Sequence, residues 1–452
     1  MSAATDTIVA IATATGGGIG IVRVSGPAAG GIARRLLRPW PEVPESHRLY
    51  HGWVHHPGTG EVLDEVLGCL MVGPRSYTGE DVLELHGHGG AASLARLLDA
   101  VVQSGARMAE PGEFTRRAFL GGRMDLTRAE AVAELIAARS ERAVRLAQGH
   151  LRGALAERVE SLAERLLDIL AEVEAEIDFP EEGLEVGEAR ALATKVRALA
   201  GEVGGLAASY VRGRALMEGV DVVLVGRPNA GKSSLLNALV GEERALVDEA
   251  PGTTRDFIEA EVSLGGVRMR LVDTAGEREA EGQVEARGMF LGRRRRARAD
   301  LVLLLVDGTV GWGELEERIR SETSGPTLLV WNKCDAAPPP SRGLGTRAEG
   351  FVALSARTGD GLEQLRQALR DRVDPGNEED AGATVISARQ QEAFKMAEEA
   401  LLRAAAVLAQ GAPSELAAVD LRIGLERLRQ VTGASVQSDV LDRVFARFCI
   451  GK

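Results

Sequence analysis

The chain has 452 residues, of which 45% are hydrophobic and 27% charged, and it carries a formal net charge of −12. The composition is that of an ordinary globular protein. The chain is too long to form a single hydrophobic core, so we expect about two to four domains. The negative charge excludes a general attraction to nucleic acid, so RNA binding would have to depend on a local patch.

Three cysteines, Cys69, Cys334 and Cys449, lie far apart in the chain, with no C-x-x-C pair among them. An odd number at such spacings favours a reducing compartment and argues against a disulfide or zinc framework. The first residues lack the basic start of a secretory leader, and no segment has the long uncharged span that a bilayer requires. We therefore expect a cytoplasmic protein that does not enter the membrane.

The N-terminal block, residues 1–122, combines short β-like runs at 7–12, 19–24 and 82–85 with one helix at 91–102. This mixture predicts an α/β domain. A glycine-rich stretch at 16–20 is followed by a strand-like run and not by a helix, which excludes a dinucleotide-binding loop.

An Ala-, Leu-, Glu- and Arg-rich texture begins near residue 126 and continues to about residue 217. Its apolar residues recur at spacings of three and four, which predicts an amphipathic helical bundle over 123–216. These residues are Leu151, Leu155, Val159, Leu162, Leu166, Leu170, Val173 and Ile177. A break at 179–183 precedes another predicted helix at 187–210, and helical texture returns over 377–452.

Between the two helical segments, strands and helices alternate over residues 217–376. The predicted strands are 220–225, 270–272, 301–306, 327–331 and 351–354. Such alternation predicts a mostly parallel sheet covered by helices. We expect this α/β block to be inserted into one helical domain that is discontinuous in sequence; two separate helical domains are the alternative.

A phosphate-binding loop opens the inserted block, where G-x-x-x-x-G-K-S ends at Lys232 and Ser233 directly after an apolar run. Backbone N–H groups and a helix N-terminus would hold the phosphates. Lys232 would reach the β- and γ-phosphates, and the Ser233 hydroxyl would contact Mg²⁺.

Four further motifs follow in the order that a guanine-nucleotide domain requires. Thr254, in residues 252–256, offers a hydroxyl for Mg²⁺, and Asp273 begins D-x-x-G, where the N–H of Gly276 would contact the γ-phosphate. In the N-K-x-D motif at 332–335, Asp335 would accept two N–H bonds from guanine, and Ser355 with Ala356 would close the base pocket. Together these motifs predict GTP as the ligand.

The chain resembles the tRNA-modification GTPase family MnmE, also called TrmE, over its whole length. Besides the nucleotide motifs, the resemblance rests on DTIVA at 6–10, GIGIVRVSG at 18–26, GEDVLELHGHG at 79–89, EPGEFT at 110–115, RMDL at 123–126 and FCIGK at 448–452. It implies an N-terminal folate-binding and dimerising α/β domain, a helical domain in two segments, and an inserted GTPase domain, called the G domain.

The resemblance also implies a mechanism in which K⁺ replaces an arginine finger and two G domains meet across the nucleotides in a homodimer. Asn229 would then bind K⁺ with oxygens of Asp248, Ala250 and Thr253, and Glu285 would position the attacking water. Glu277, which follows D-x-x-G, is a rival for that water. The predicted GTP-binding set is Asn229, Ala230, Gly231, Lys232, Ser233, Ser234, Asp248, Thr253, Thr254, Asp273, Thr274, Ala275, Gly276, Asn332, Lys333, Asp335, Ser355 and Ala356.

A second site is implied by the same resemblance, for 5-formyltetrahydrofolate or a related tetrahydrofolate. Its contacts would be Arg23, Glu84, Arg123 and Lys452, and Cys449 would lie near the one-carbon group or be needed for modification. The family partner is the FAD-binding protein MnmG, in a heterotetramer. The reaction implied is the installation of an aminomethyl-type (carboxymethylaminomethyl) group at C5 of the wobble uridine of certain tRNAs.

Three other interpretations remain open. A ribosome-assembly GTPase switch could use the arginines at 293–296 and 298 on rRNA, although a solvated or ion-paired helical face is the simpler interpretation of that cluster. A helical scaffold with a degenerate nucleotide pocket would show no turnover. His86 and His88 could form a metal pair, but the sequence offers no evident third ligand.

Overall fold

The computed structural model describes residues 6–178, 186–241, 258–273, 296–297, 299–340, 350–373, 383–436 and 438–452. The chain divides into two compact units. Unit 1 comprises Met1–Ile136, His150–Val203 and Ala393–Lys452, and unit 2 comprises Ala137–Gly149 and Gly204–Glu392. The domain boundaries given above stay predictions.

The strands are β1 Ile8–Ile11, β2 Ile19–Ser25, β3 Leu37–Arg38, β4 Leu49–His55, β5 Val62–Met71, β6 Val82–His88, β7 Arg107–Met108, β8 Val220–Gly226, β9 Ile258–Leu264, β10 Val267–Asp273, β11 Leu301–Asp307, β12 Thr327–Asn332 and β13 Phe351–Ala353. The helices are α1 Ala29–Leu36, α2 Ala91–Gln103, α3 Glu113–Leu120, α4 Leu126–Ala137, α5 Glu141–Arg152, α6 Ala154–Asp178, α7 Val186–Glu218, α8 Lys232–Val240, α9 Glu314–Glu322, α10 Leu362–Val373, α11 Ala388–Ala409, α12 Ser414–Thr432 and α13 Ser438–Phe445. None of the described helices is long and apolar enough to cross a membrane.

A seven-stranded sheet, in the order β3-β4-β5-β6-β2-β1-β7, organises the N-terminal part of unit 1. Its strands pair antiparallel, except that β1 and β7 are parallel. Because alternate residues of a strand point to opposite faces, Val22, Leu83 and Leu85 pack on α1 and α2 while their neighbours face away. The α/β prediction is confirmed, and the structure adds β4 and β5, whose histidines and glycines weaken the apolar alternation.

The helices of unit 1 bring together segments from both sides of the inserted block. α6 packs along α12, and the bundle core includes Leu155, Leu162 and Leu166. Arg422 on α12 donates to Glu174 on α6 at 2.6 Å. The prediction of one helical domain discontinuous in sequence is therefore confirmed.

One predicted core residue of this bundle is exposed. Leu151 lies in α5, and Gly153, at φ +104°, ends that helix before α6 begins. The break shifts the helical phase, so Leu151 does not share the buried face that Leu155 and Val159 occupy on α6. Two apolar residues four positions apart do not share one helical face when a glycine between them ends the helix.

The last residues of the chain pack against the N-terminal α/β part. A Cβ on Gly451 would lie 2.3 Å from the carbonyl oxygen of Ile11, and the Phe114 N–H donates to the Lys452 carbonyl at 3.2 Å. Phe445 and Phe448 bury their rings beside Leu126. The 448–452 segment therefore joins the C-terminal part of unit 1 to its N-terminal α/β part.

Arg117 is the centre of an ion-pair network beside β1. It is buried, and its guanidinium donates to Asp6 at 2.8 Å, to Glu113 at 3.0 Å and to Glu80 at 3.2 Å. Arg107 contacts Asp6 and Glu113, each at 2.6 Å. Burial alone would raise the pKa of both carboxyls, but the arginine hydrogen bonds hold the pKa of Asp6 and of Glu113 below their ordinary values.

We expect this network to make unit 1 acid-sensitive. Because the lowered pKa values belong to the folded state, the stabilisation is complete above the ordinary carboxyl pKa and is lost as pH falls through the folded pKa, below about pH 5. Differential scanning calorimetry from pH 7 to about pH 3.5 should show the Tm of unit 1 falling, with a smaller slope in Glu113→Gln. Glu172→Gln, in an exposed pair with Lys195, is the control. An unchanged slope in Glu113→Gln would contradict the linkage.

Unit 2 contains a six-stranded sheet in the order β13-β12-β11-β8-β10-β9. All neighbours pair in parallel except β9, which is antiparallel to β10. Apolar residues fill both faces of the central strands, and every residue of β11 is buried. This confirms the predicted parallel sheet covered by helices, with β9 as an additional edge strand.

Candidate functional site

The phosphate loop connects β8 to the N-terminus of α8. At Gly226, φ is +149° and a Cβ would lie 2.4 Å from the carbonyl oxygen of Leu305, so only glycine fits there. Gly231, at φ +95°, precedes α8, and a Cβ there would lie 2.2 Å from the Asn332 side chain. The loop therefore turns tightly enough to direct the first N–H groups of α8 outward.

Lys232 begins α8 and is buried, with its side chain folded over the loop. Its ammonium donates to the carbonyl oxygens of Gly226 and Arg227, each at 3.0 Å. The positive charge is thus held at the mouth of the loop, where it complements the helix N-terminus in attracting an anionic phosphate.

One of the two predicted magnesium residues, Ser233, contacts Asp273 where β10 ends. The Ser233 hydroxyl donates to Asp273 Oδ2 at 2.5 Å. Asp273 Oδ1 is buried and has no hydrogen-bond partner among the described residues. A carboxylate oxygen buried in this way, next to a hydroxyl, suits a hard cation that prefers oxygen ligands, so these residues fit Mg²⁺.

Asn332 joins the three parts of the nucleotide pocket. Its Nδ2 donates to the carbonyl oxygen of Ala230 in the phosphate loop at 2.7 Å. Its Oδ1 accepts from the N–H of Ala356 at 3.0 Å. The N-K-x-D segment, the phosphate loop and the Ser355–Ala356 turn are therefore one connected site.

Asp335 lies at the end of the base-reading segment and accepts from Arg357 at 2.5 Å. Hydrogen bonds from Ser355, first, and from Arg357 hold its pKa below the ordinary value, so the carboxylate is ionised and ready to accept. The Arg357 side chain is 83% exposed. Sequence reasoning did not identify Arg357, because it lies one residue beyond the recognised Ser-Ala pair.

Other predicted residues of this site are accounted for as follows. Ser234 is exposed in the first turn of α8, and Asn229 is exposed with φ +63°. Several predicted residues lie outside the described residues: Asp248, Ala250, Thr253, Thr254, Thr274, Ala275, Gly276, Glu277 and Glu285. Of the arginine cluster, Arg296 is described; it is buried and pairs with Glu322 at 2.9 Å, which favours an ion-paired role over RNA contact.

The second candidate site lies on the face of the unit 1 sheet away from α1 and α2. Arg23 on β2 donates to Glu84 on β6 at 2.8 Å. The Arg23 guanidinium lies 5.4 Å from the centroid of the Tyr77 ring and 6.0 Å from that of Phe114. A hydrogen bond with His86 and the charge of Arg23 hold the pKa of Glu84 below its ordinary value.

The chain end completes this second site. Burial, and then repulsion from Arg23, lower the pKa of the Lys452 ammonium, while the charges of Glu84 and Cys449 act in the opposite direction. Cys449 is exposed. Three of the predicted folate-site residues, Arg23, Glu84 and Cys449, therefore lie within electrostatic reach of a fourth, Lys452.

Arg123, the fifth predicted residue, follows α3 and contacts the loop that carries Tyr77. Its Nε donates to the carbonyl oxygen of Ser76 at 3.1 Å. Arg123 therefore contacts the backbone next to Tyr77, and the ring of Tyr77 lies under the Arg23 guanidinium. Positive, negative and aromatic groups together fit a planar, charged ligand such as a folate.

The two histidines of β6 do not form a joint metal site. His86 Nε2 lies 3.0 Å from Glu84, and His88 Nδ1 lies 2.6 Å from Asp64. Across the part of the chain that the structure describes, no group of three His, Cys, Asp or Glu side chains could hold a metal ion.

Two family models together match most of the chain. The model described as the GTP-binding protein TrmE N-terminus matches residues 7–123, and that of the MnmE helical domain matches residues 126–449.

Full-length relatives carry one common name, tRNA modification GTPase MnmE. The chain is 44% identical to the protein of Synechococcus sp. RCC307, covering 100% of both chains. It is 45% identical to that of Geobacter sulfurreducens and 46% identical to that of Symbiobacterium thermophilum, covering 99% of each chain in both comparisons. A solved structure of an Aquifex aeolicus Era variant bound to GDP.AlF4⁻ is 25% identical over 40% of this chain and 66% of that chain, with a TM-score of 0.30.

Proposed function

Because this chain belongs to the MnmE (TrmE) family of tRNA modification GTPases, we propose that its GTPase is K⁺-dependent and is activated when two G domains meet in a homodimer. It acts in the cytoplasm with the FAD-binding partner MnmG, in a heterotetramer. The pair installs an aminomethyl-type (carboxymethylaminomethyl) group at C5 of the wobble uridine of certain tRNAs. The observation that carries the GTPase part is the connected pocket around Lys232, Asp273 and Asn332.

In this proposal each part of the pocket has one task. The N-terminus of α8 and the Lys232 ammonium bind the phosphates, and Asp335 accepts from the guanine edge. Ser233 and Thr254 would hold Mg²⁺, with Asp273 accepting from Ser233, and the ion would supply positive charge to the phosphates. Glu285 positions the attacking water, with Glu277 as its rival.

Asn229 supports the potassium part of the proposal. It lies in the phosphate loop, is exposed, and its side chain makes no hydrogen bond to the described residues. An amide that only stabilised the loop would bond to the loop backbone. The free amide oxygen is therefore available to K⁺, with Asp248, Ala250 and Thr253 as the other proposed ligands.

The potassium dependence can be tested by measuring GTPase rate against protein concentration in K⁺ and in Na⁺ buffers. We expect the specific rate to rise with protein concentration, because the active form is a dimer, and to be much higher in K⁺. Asn229→Ala should lose the K⁺ stimulation and keep GTP binding. Asn237→Ala, in α8 of the same unit, is the control. Equal GTPase rates in K⁺ and Na⁺ would refute the potassium dependence. A specific rate that does not change with protein concentration would refute activation by dimerisation.

An exposed apolar patch supports the homodimer. Leu49, Trp53 and Leu67 lie on the face of β4 and β5 away from the core and are 52%, 41% and 41% exposed. Exposed large apolar residues grouped on one face mark interaction surfaces. The patch lies on the same sheet as Arg23 and Glu84, so dimerisation and folate binding are proposed for one domain.

Folate supplies the one-carbon unit in this proposal. The donors Arg23, Arg123 and Lys452 and the acceptor Glu84, which Arg23 contacts, would orient the folate. Cys449 would lie near the one-carbon group or be needed for modification. The ribosome-assembly switch is the alternative, and the internal ion pair of Arg296 removes one of its supporting residues.

A further inference from the structure

The segment from the end of β11 to the start of α9, residues 307–316, carries two buried carboxylates that no recognised motif includes. We call it the β11–α9 segment. Asp307 is 5% exposed and Glu316 is 0% exposed. Burying a charged carboxylate is costly unless it is paired and hydrogen-bonded, so the partners of these two residues indicate their role.

Asp307 holds the base-reading segment. Its carboxylate accepts from the Lys333 ammonium at 2.6 Å, and from the N–H and hydroxyl of Thr309 at 3.0 and 2.6 Å. The next residue, Gly308, donates its N–H to the carbonyl oxygen of Asn332 at 2.9 Å. Asp307 therefore contacts Lys333 and Gly308 contacts Asn332, so two consecutive residues of the β11–α9 segment hydrogen-bond to the first two residues of N-K-x-D.

Glu316 holds the phosphate loop. Both of its oxygens accept from the Arg227 guanidinium, one of them from Nε at 2.6 Å, and one also accepts from the Gly313 N–H at 3.0 Å. Arg227 in turn offers its carbonyl oxygen to the Lys232 ammonium at 3.0 Å. A planar guanidinium gripped by two bonds has a fixed orientation, so the loop at Arg227 is anchored to α9.

We propose that Asp307 and Glu316 are positioning residues for the nucleotide: Asp307 sets Lys333 for the guanine, and Glu316 sets the phosphate loop through Arg227. The proposal rests on the GTPase function and deepens it. One short segment behind the pocket thus aligns the base-binding and phosphate-binding halves, and neither carboxylate needs to touch GTP. The two roles predict different kinetic signatures.

Asp307→Asn tests the base half. We expect KM for GTP and Kd for GDP to rise about 10- to 100-fold, because a charge-assisted bond to Lys333 is lost. The kcat should change less than about threefold, since the base is bound equally in the ground and transition states. Glu314→Gln, exposed on α9, is the matched control. Unchanged GDP affinity in Asp307→Asn would overturn this half.

Glu316→Gln tests the phosphate half. We expect kcat to fall about 10- to 100-fold with a smaller change in KM, because a displaced loop misplaces the groups that act on the γ-phosphate. The double variant Arg227→Met with Glu316→Gln removes both charges, so its thermal stability should recover. If kcat stays low while stability recovers, the positioning role is supported. If kcat recovers with stability, Glu316 is merely structural and the proposal fails.

The GDP titrations are performed in Na⁺ buffer, without tRNA or the partner protein. A wild-type chain that ignored K⁺ would refute the proposed function, yet the comparison of GDP affinities would still decide the role of Asp307. Conversely, intact K⁺ stimulation with unchanged affinities in Asp307→Asn would refute the inference alone.

Discussion

Asp335→Asn is expected to change the base that this chain accepts. Guanine offers two N–H donors to the Asp335 carboxylate, and an amide at this position can match only one of them. The Asp335 carboxylate accepts both bonds as a charged group, so losing one of them should lower the affinity for GTP by at least about tenfold. Xanthosine triphosphate should gain affinity, because its C2 carbonyl accepts from the new amide N–H.

The ion pair with Arg357 does not oppose this expectation. Arg357 is 83% exposed, and such surface pairs contribute little to stability, so guanine can take its place on Asp335. Kd values for GTP and xanthosine triphosphate, measured by fluorescence competition, give the test. Asp371→Asn, exposed on α10, is the control. A variant that kept its GTP preference would show that Asp335 does not read the base.

Cys449→Ser is expected to separate tRNA modification from GTP hydrolysis. Cys449 is exposed beside the Lys452 end of the second site and belongs to unit 1, whereas the nucleotide pocket belongs to unit 2. In a strain that lacks the native gene, the variant should leave C5-modified wobble uridine at the level of the deletion. Its K⁺-stimulated GTPase rate should equal that of the unchanged protein, because no phosphate-loop residue is altered.

Mass spectrometry of digested tRNA measures the modified nucleoside, and a phosphate-release assay measures the GTPase. Ile450→Ala, at the exposed neighbouring position, is the matched control and should restore modification. Full modification by Cys449→Ser would contradict a role for the thiol. Failure of even the unchanged chain to restore the nucleoside would refute the wobble-uridine assignment.

The extent of successful prediction differs between the two sites for a physical reason. The phosphate loop and N-K-x-D are contiguous stretches in which spacing and strand context determine geometry. In the structure Ser233 contacts Asp273, and Asn332 contacts Ala230 of the phosphate loop. Asp307 and Glu316 were missed, because their partners, Lys333 and Arg227, are distant in sequence. Ion pairs of this kind leave no local periodicity.

The second site shows the same limit more strongly. No local pattern brings Lys452 to Arg23; only the family resemblance related them, and the docking of 448–452 on β1 explains how they meet. Likewise β4 and β5 lack a clean apolar alternation, because their outer face carries His51 and Glu65 instead of a uniform residue class.

The docking of the 448–452 segment on β1 also makes unit 1 depend on a contact of very high sequence separation. The contact between Gly451 and Ile11 joins residues that are far apart in the chain. Unit 2 lies mostly between them in sequence, so its sheet can fold while unit 1 still lacks its last element. Contacts of such high sequence separation form slowly. We therefore expect a variant truncated before Phe448 to lose the second site and to keep the nucleotide pocket, because that pocket belongs to unit 2.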